Sequence, residues 1–500
     1  MSLVMACDGG DKPAENDAML PPIDAAVPDA KIPCSDDDPA AAIAALPGIV
    51  SVDSAECGGF VPDGARCYWA SLSQPVKGDD AASGTYSQRI RVVHVSCDLP
   101  TVLNTQGYEL GDQFYVGELA TYFNANWMDV EHHFQGGSAP SDDIWAWDGL
   151  TIHEGAEDTH RLIQTLSGYY DGRWITTGAS KGGITAIYHR YLYPDDVAGT
   201  VPYVAPASLA RIDPRYQTYM DTMGPEVCRT ELRAFQVRVL SDRRTFMANR
   251  LDTELGGGDP AYADEWLEQA TKSFDWAFWQ YFGTDYCASV PNAKASDADH
   301  WAFWASLNGF SPEAGGVGTP GNATPDNYRN YQALYYEWLT QQGFALQIGA
   351  HLQPHLVHPH QTLEDWFNET APVTLPPYDS SVTVAAIAYA STQATNMVMI
   401  YGANDPWTGG QLDAPTGDNS GKFTAPTAGH WASIGELSES DRTAALSLLS
   451  EIFGQTPMVA TRSRLSPRVT ERKRRDAMMR VDRARRLRLI KRKLSAKYAK

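Results

Sequence analysis

The chain has 500 residues, 43% of them hydrophobic and 11% aromatic, which is enough apolar material for a large buried core and excludes disorder throughout. Its formal charge of −21 is unevenly spread: residues 461–500 hold 17 Lys/Arg against 3 Asp/Glu, leaving 23 against 58 in the first 460. An acidic body therefore ends in a basic tail, and no apolar run reaches the roughly 18–20 residues that a membrane span needs.

At the N-terminus, Val4-Met5-Ala6-Cys7 resembles a bacterial lipobox. It is read as a lipoprotein signal truncated upstream, with Cys7 as lipid anchor; the alternative is a cytosolic start with a buried Cys7. The following stretch to residue 45 is rich in Asp, Pro and Ala and reads as a linker. With Cys7 set aside, six cysteines remain, an even number that suits an oxidising compartment, and Cys57 and Cys67, which bracket the turn Pro62-Asp63-Gly64, are expected to pair. Six scattered core thiols are the alternative.

Strand alternation begins at Arg89-Ile90-Arg91-Val92-Val93-His94-Val95 and resumes at Thr101-Val102-Leu103. Residues 150–167 carry a helical stripe, Arg173–Gly178 reads as a strand running into Ser180, and Ile184–Tyr188 is helical again. Helix, strand, sharp turn and helix make a βα crossover of a parallel sheet. Residues 207–375 change to aromatic-rich helical segments between Gly/Pro-rich loops and read as an inserted lid. The apolar stretch from Val382 to Ile400 reads as two buried strands, and Leu437–Phe453 as a closing helix. The expected organisation is signal and linker over 1–45, an α/β core (mostly parallel sheet with flanking helices) over 46–206 and 376–460, a mainly helical lid over 207–375, and a basic tail over 461–500.

Gly178-Ala179-Ser180-Lys181-Gly182 satisfies G-x-S-x-G, with Gly183 following. This spacing puts a nucleophile on a strained strand-to-helix turn, where glycines two before and two after remove side chains that would collide. The helix N-terminus favours a developing negative charge, and the backbone N–H of Lys181 is the expected first oxyanion donor. A serine needs a base, and the base an orienting carboxylate, in the chain order Ser, Asp or Glu, His. Asp405, after the strand-like Asn396–Gly402, and His430, in Ala428-Gly429-His430-Trp431, satisfy that order. Taken alone, Asp405 also reads as a turn-forming residue before Pro406, and His430 as a packing histidine. The second oxyanion donor is expected near Gln106 or Gly107, in the loop after the third strand of the fold.

With these residues in hand, the chain resembles the secreted bacterial prolyl tri/tetrapeptidyl aminopeptidases, serine peptidase family thirty-seven, distant relatives of prolyl carboxypeptidase. The resemblance lies in Tyr86–Arg89, Leu103–Tyr108, Val130–Phe134, Leu150–Ile152, Trp174–Gly183, Asp405-Pro406-Trp407 and Gly429-His430. It implies release of short peptides from free N-termini, often after proline, with Ser180, Asp405 and His430 as triad and a lid restricting access to chain ends. The chain departs from the pattern at His133, where the Glu-His-Arg-like segment has arginine, and in its basic tail. An aminopeptidase must hold a charged amine; Glu131 is the candidate carboxylate, a structural salt bridge being its other reading.

Other signals are weaker. His351, His355, His358 and His360 cluster, but Pro354 and Pro359 break any helix that would align them, so no metal is expected. Gly316–Gly321 formally fits G-x-G-x-x-G without a preceding strand and reads as a loop. No cofactor is implied, the expected partners are peptide substrates, and no specific nucleic-acid site is read. The tail from Arg472 is expected to be solvated or to touch an anionic surface. The predicted location is the bacterial envelope, secreted or lipid-anchored. Two other functions fit the triad: an esterase or lipase on the same scaffold, and a binding protein that has lost catalysis.

Overall fold

The computed structural model describes residues 31–458, apart from 79, 141–146, 255–256, 309–331, 346–348, 359–361 and 372. Cys7, the Gly316–Gly321 motif, His360 and the basic tail lie outside the described residues.

The frame is a nine-stranded sheet. Its strands are β1 (Ile49–Ala55), β2 (Arg66–Pro75), β3 (Thr85–His94), β4 (Thr101–Thr105), β5 (Asn126–Val130), β6 (Trp174–Ala179), β7 (Gly199–Tyr203), β10 (Val398–Gly402) and β11 (Gly421–Ala425); a separate two-stranded pair is formed by β8 (Ile212–Asp213) and β9 (Phe344–Ala345). The order is β1-β2-β3-β5-β4-β6-β7-β10-β11. The first three strands and β5 pair antiparallel, and from β5 to β11 every pairing is parallel. β4, β5 and β10 are buried at every position, as parallel strands covered on both faces require.

Alternate residues of each strand feed opposite faces. Val102, Ile175, Val201, Val398 and Ile400 pack with the closing helix Glu439–Phe453 through Leu449, Ile452 and Phe453. On the other face Leu103 and Met128 meet Leu162, Ile163 and Leu166 of helix α3 (Ile152–Leu166), which the chain enters after α1 (Pro39–Ala44) and α2 (Glu118–Phe123). Met399 and Tyr401 meet Ile184 and Ile187 of α4 (Lys181–Leu192). Between β7 and β10 the chain is chiefly helical, with a core of its own built on Phe235, Phe274, Trp276, Trp279 and Trp304.

Two expectations are corrected. The Val382–Ile400 stretch is not two strands: Ser381–Thr392 is a helix, and only Val398–Gly402 is a strand. Thr383, Ala386 and Ala390 recur at helical spacing and are fully buried, the two alanines in the cluster that contains Ile184 and Ile187 of α4, so an alanine-rich helix outweighs the strand preference of Val382 and Val384. The linker read to residue 45 stops short of residues 31–45, because Cys34 bonds to Cys97 and α1 buries Ile43, followed by a buried Leu46. Asp38 caps α1 by accepting the Ala41 N–H at 3.1 Å. All six cysteines here are paired, Cys34–Cys97, Cys57–Cys67 as expected, and Cys228–Cys287. Three disulfides point to an oxidising, extracellular setting. Among the described residues no helix is long and apolar enough to cross a membrane.

Candidate active site

β6 ends at Ala179, α4 begins at Lys181, and Ser180 between them has φ 57° and ψ −126°. That backbone is unfavourable for any residue with a Cβ, and it persists because its surroundings fix it. The Ser180 N–H donates to the Tyr203 carbonyl at 2.9 Å, and the Ser180 carbonyl accepts the Ile184 N–H at 3.1 Å. A Cβ on Gly178 would lie 2.3 Å from the Gly182 backbone, and one on Gly182 would lie 2.0 Å from the Thr105 carbonyl oxygen. The glycines of the pentapeptide are therefore forced by close approach, and Ser180 is left half-buried at the C-terminal edge of the sheet.

Asp405 and His430 meet two strands away. Asp405 follows β10 and is fully buried; its Oδ2 lies 2.8 Å from His430 Nδ1, and its Oδ1 accepts the Trp407 N–H at 3.1 Å. A carboxylate can only accept, so Nδ1 carries the hydrogen, and in the neutral ring that leaves the lone pair on Nε2. The His430 loop is held from the insertion: its N–H donates to the Gln280 carbonyl at 3.1 Å, and Trp407 packs edge-on against Trp276 with ring centroids 4.9 Å apart.

The loop after β4 lies against the elbow. Gly107 has φ +72°, and a Cβ there would sit 2.6 Å from the Gly182 nitrogen. The Gln106 N–H continues the sheet toward the Val130 carbonyl at 3.4 Å, and its side chain donates to Tyr115 Oη and Asp129 Oδ1 at 2.8 and 2.6 Å. Gln106 is thus occupied, and of the two residues expected to supply an oxyanion donor, Gly107 is the one whose backbone lies directly against the elbow.

Glu131 is corrected. Its side chain is wholly buried; Oε1 accepts the Leu110 N–H at 2.8 Å and pairs with Arg89 at 3.4 Å, while Oε2 accepts the Gly137 N–H and the Ser138 hydroxyl at 2.9 and 2.8 Å. Burial raises its pKa from the ordinary glutamate value, making it a weaker acid. A carboxylate saturated by its own chain is not open to an incoming amine; it fastens the loop at 110 to the turn at 137–138. His133 is likewise internal, with Nδ1 2.6 Å from Asp158 and 2.7 Å from Tyr86 Oη, and Nε2 3.1 Å from the Gly149 carbonyl.

Three supporting residues carry no motif. Thr105 Oγ1 is 2.7 Å from the Gly182 carbonyl and 3.1 Å from that of Thr177, tying β4 to both sides of the elbow. Asp129, fully buried, gathers Arg91, Asn104 and Gln106 beside the loop after β4. Glu337, on the insertion, receives the inward-turned side chain of Lys181. The available signals were a buried-type Arg91 in an apolar strand and a single acid, Glu337, in an aromatic-rich helix, since lone charges in such settings require partners.

The histidines of the 351–358 segment do not converge: His351 Nε2 meets Gln236 at 3.0 Å and His358 Nε2 meets Asp264 at 2.8 Å. Among the described residues His153, Glu154 and Glu157 come within ligating distance of one another, but Glu154 accepts the Gly78 N–H at 2.9 Å and Glu157 pairs with Arg161.

A largely parallel, helix-covered sheet whose strand β6 turns through a serine elbow into a helix is the architecture of an α/β-hydrolase. Within that class the chain belongs to the PS-10 peptidase S37 family, whose model matches residues 41–488, and it is accordingly a serine peptidase. It is 29% identical over 431 residues to the prolyl tri/tetrapeptidyl aminopeptidase of Streptomyces mobaraensis, covering 82% of this chain and 84% of that protein. Solved structures with partial likeness include the proline iminopeptidase of Mycobacterium smegmatis, 14% identical with a TM-score of 0.29 over 77% of this chain and 98% of that one. A second is the thermostable carboxylesterase EstE1 from a metagenomic library, 11% identical with a TM-score of 0.30 over 77% and 88%.

Proposed function

We propose that the protein is an exopeptidase that releases short peptides of two to four residues from the N-terminus of its substrates, with a preference for proline, through a Ser180-His430-Asp405 acyl-enzyme mechanism. The observation that carries the reading is Ser180 on its elbow at the same sheet edge as the His430–Asp405 pair. In this mechanism His430 Nε2 takes the Ser180 proton, and Oγ attacks the scissile carbonyl. The N–H groups of Lys181 and Gly107 hold the oxyanion, His430 protonates the departing amine, and water releases the acyl group. The helical insertion, taken as a lid over 207–375, restricts the cleft to chain ends. The chain-end specificity is supported by the 29% identity to a prolyl tri/tetrapeptidyl aminopeptidase. The disulfides favour export, and lipid anchoring at Cys7 and surface contact by the basic tail are part of the same proposal.

The test compares Ala-Pro-type tripeptidyl anilides with short acyl esters, alongside labelling by a fluorophosphonate probe. Anilide turnover with probe bound at Ser180 is expected. Turnover of esters alone would make the protein an esterase, and folded protein that resists the probe would make it a binding protein.

A further inference from the structure

Lys181 carries both the backbone N–H assigned to the oxyanion and a side chain that never reaches solvent. Its Nζ lies 3.0 Å from Glu337 Oε2, with the two side chains only 3% and 2% exposed. Glu337 Oε1 lies 3.1 Å from both His132 Nε2, in the loop after β5, and Gln342 Nε2. Glu337 ends the helix Gln332–Glu337, and the chain continues as a π-helical turn over Trp338–Gln342, a geometry often found at functional positions. That turn is itself fastened to the core: Gln341 Oε1 accepts the Ile152 N–H that opens α3 at 2.8 Å, and the Gln341 carbonyl accepts the Thr383 hydroxyl at 3.0 Å. Tyr108, next to Gly107, places its ring centroid 5.9 Å from Lys181 Nζ.

Burying two charges costs several kcal/mol per ion, and an apolar pair of equal volume would often stabilise the fold as well or better. A buried pair therefore makes most sense where it sets registry. Here it sets the registry of the insertion against the residue directly after the nucleophile. The titratable groups that meet here come from three elements: Lys181 on α4, Glu337 on the insertion and His132 beyond β5. Burial, reinforced by the Lys181 charge, lowers the His132 pKa, while Lys181 and His132 outweigh burial and hold Glu337 at about 2. Burial lowers the Lys181 pKa against the pull of Glu337, while Glu337 itself stays ionised across the neutral range.

We propose that Glu337 is a positioning residue for the peptidase reaction: by pairing with Lys181 it locks the oxyanion-donor amide in place and makes the competence of the elbow depend on a seated insertion. This rests on the reading of Ser180 as nucleophile and the Lys181 amide as donor.

The test is Glu337→Gln, with kcat and KM on a tripeptidyl anilide, the fluorophosphonate labelling rate, and a thermal melt. In protein that melts cooperatively well above the assay temperature, kcat and labelling rate are expected to fall together by about 10- to 100-fold, with KM changed less than about threefold. Unchanged kcat in such protein overturns the proposal, as does a loss confined to KM. Should Glu337→Gln not fold, the double variant Lys181→Met/Glu337→Leu removes both charges and keeps apolar volume. It is expected to fold and still lose about tenfold or more in kcat; wild-type kcat there assigns the pair to stability alone and overturns the proposal. Absence of labelling in the wild type would instead sink the underlying reading of Ser180.

Discussion

Ser180 is held in its strained conformation by neighbours more than by its own preferences. Thr105 bonds to carbonyls on both sides of the turn. Thr105→Val keeps the shape but removes the single hydroxyl hydrogen that the two buried carbonyls share, so urea denaturation is expected to show a loss of about 1–3 kcal/mol. Asp405 fixes the His430 tautomer. Asp405→Asn is expected to lower kcat by about 10³- to 10⁴-fold, as when the orienting aspartate of a serine-protease triad is neutralised, with KM little altered and the fold intact by circular dichroism. The nucleophile candidate was legible because its chemistry demands glycines at fixed spacing. Thr105, Asp129 and Glu337 were not, because hydrogen bonds and ion pairs between residues far apart in the chain impose no local pattern. Glu131 misled for the same reason: the sequence shows a carboxylate after a strand, and only the fold shows that Leu110, Gly137 and Ser138 already occupy it.

Among the elements, the strand–turn–helix from Trp174 to Leu192 was readable, since an apolar run, a glycine-flanked turn and a helical stripe each satisfy a separate local rule. The helix Ser381–Thr392 was not, because Val382, Val384 and Ile387 raise strand propensity while its burial at 383, 386 and 390 is decided by contact with α4. The loop after β4 offers the clearest test at this scale. Gly107→Ala forces a Cβ against the Gly182 nitrogen at positive φ, so the loop must retreat from the elbow. If Gly107 supplies an oxyanion donor, kcat is expected to fall about 100-fold or more in protein that circular dichroism shows to be folded at the assay temperature. Full activity in Gly107→Ala would remove Gly107 from the mechanism.

Across the whole molecule, stability is expected to fail from the acid side. Burial alone would raise Asp196, but hydrogen bonds from His160 and His189 outweigh it and hold it at about 2, as the charges of Lys181 and His132 hold Glu337. Both carboxyls are depressed on folding from ordinary values of 3.8 and 4.5. Their contribution is therefore complete above those values and lost as pH falls toward 2. Melting temperature should decline steeply between about pH 4.5 and 2, and Asp196→Asn should flatten part of that slope. At neutral pH the Cys34–Cys97 disulfide, which closes a 63-residue separation, ties the N-terminal segment to the sheet. Replacing both cysteines by serine is expected to cost about 4 kcal/mol in a denaturation experiment. The central claim is chain-end cleavage by Ser180, and it is tested most directly by mass spectrometry of the products from a mixture of peptides with free and acetylated N-termini. N-terminal fragments of two to four residues, released from free peptides alone and absent with Ser180→Ala, are the expected result; internal cleavage, or equal cleavage of acetylated peptides, would contradict it.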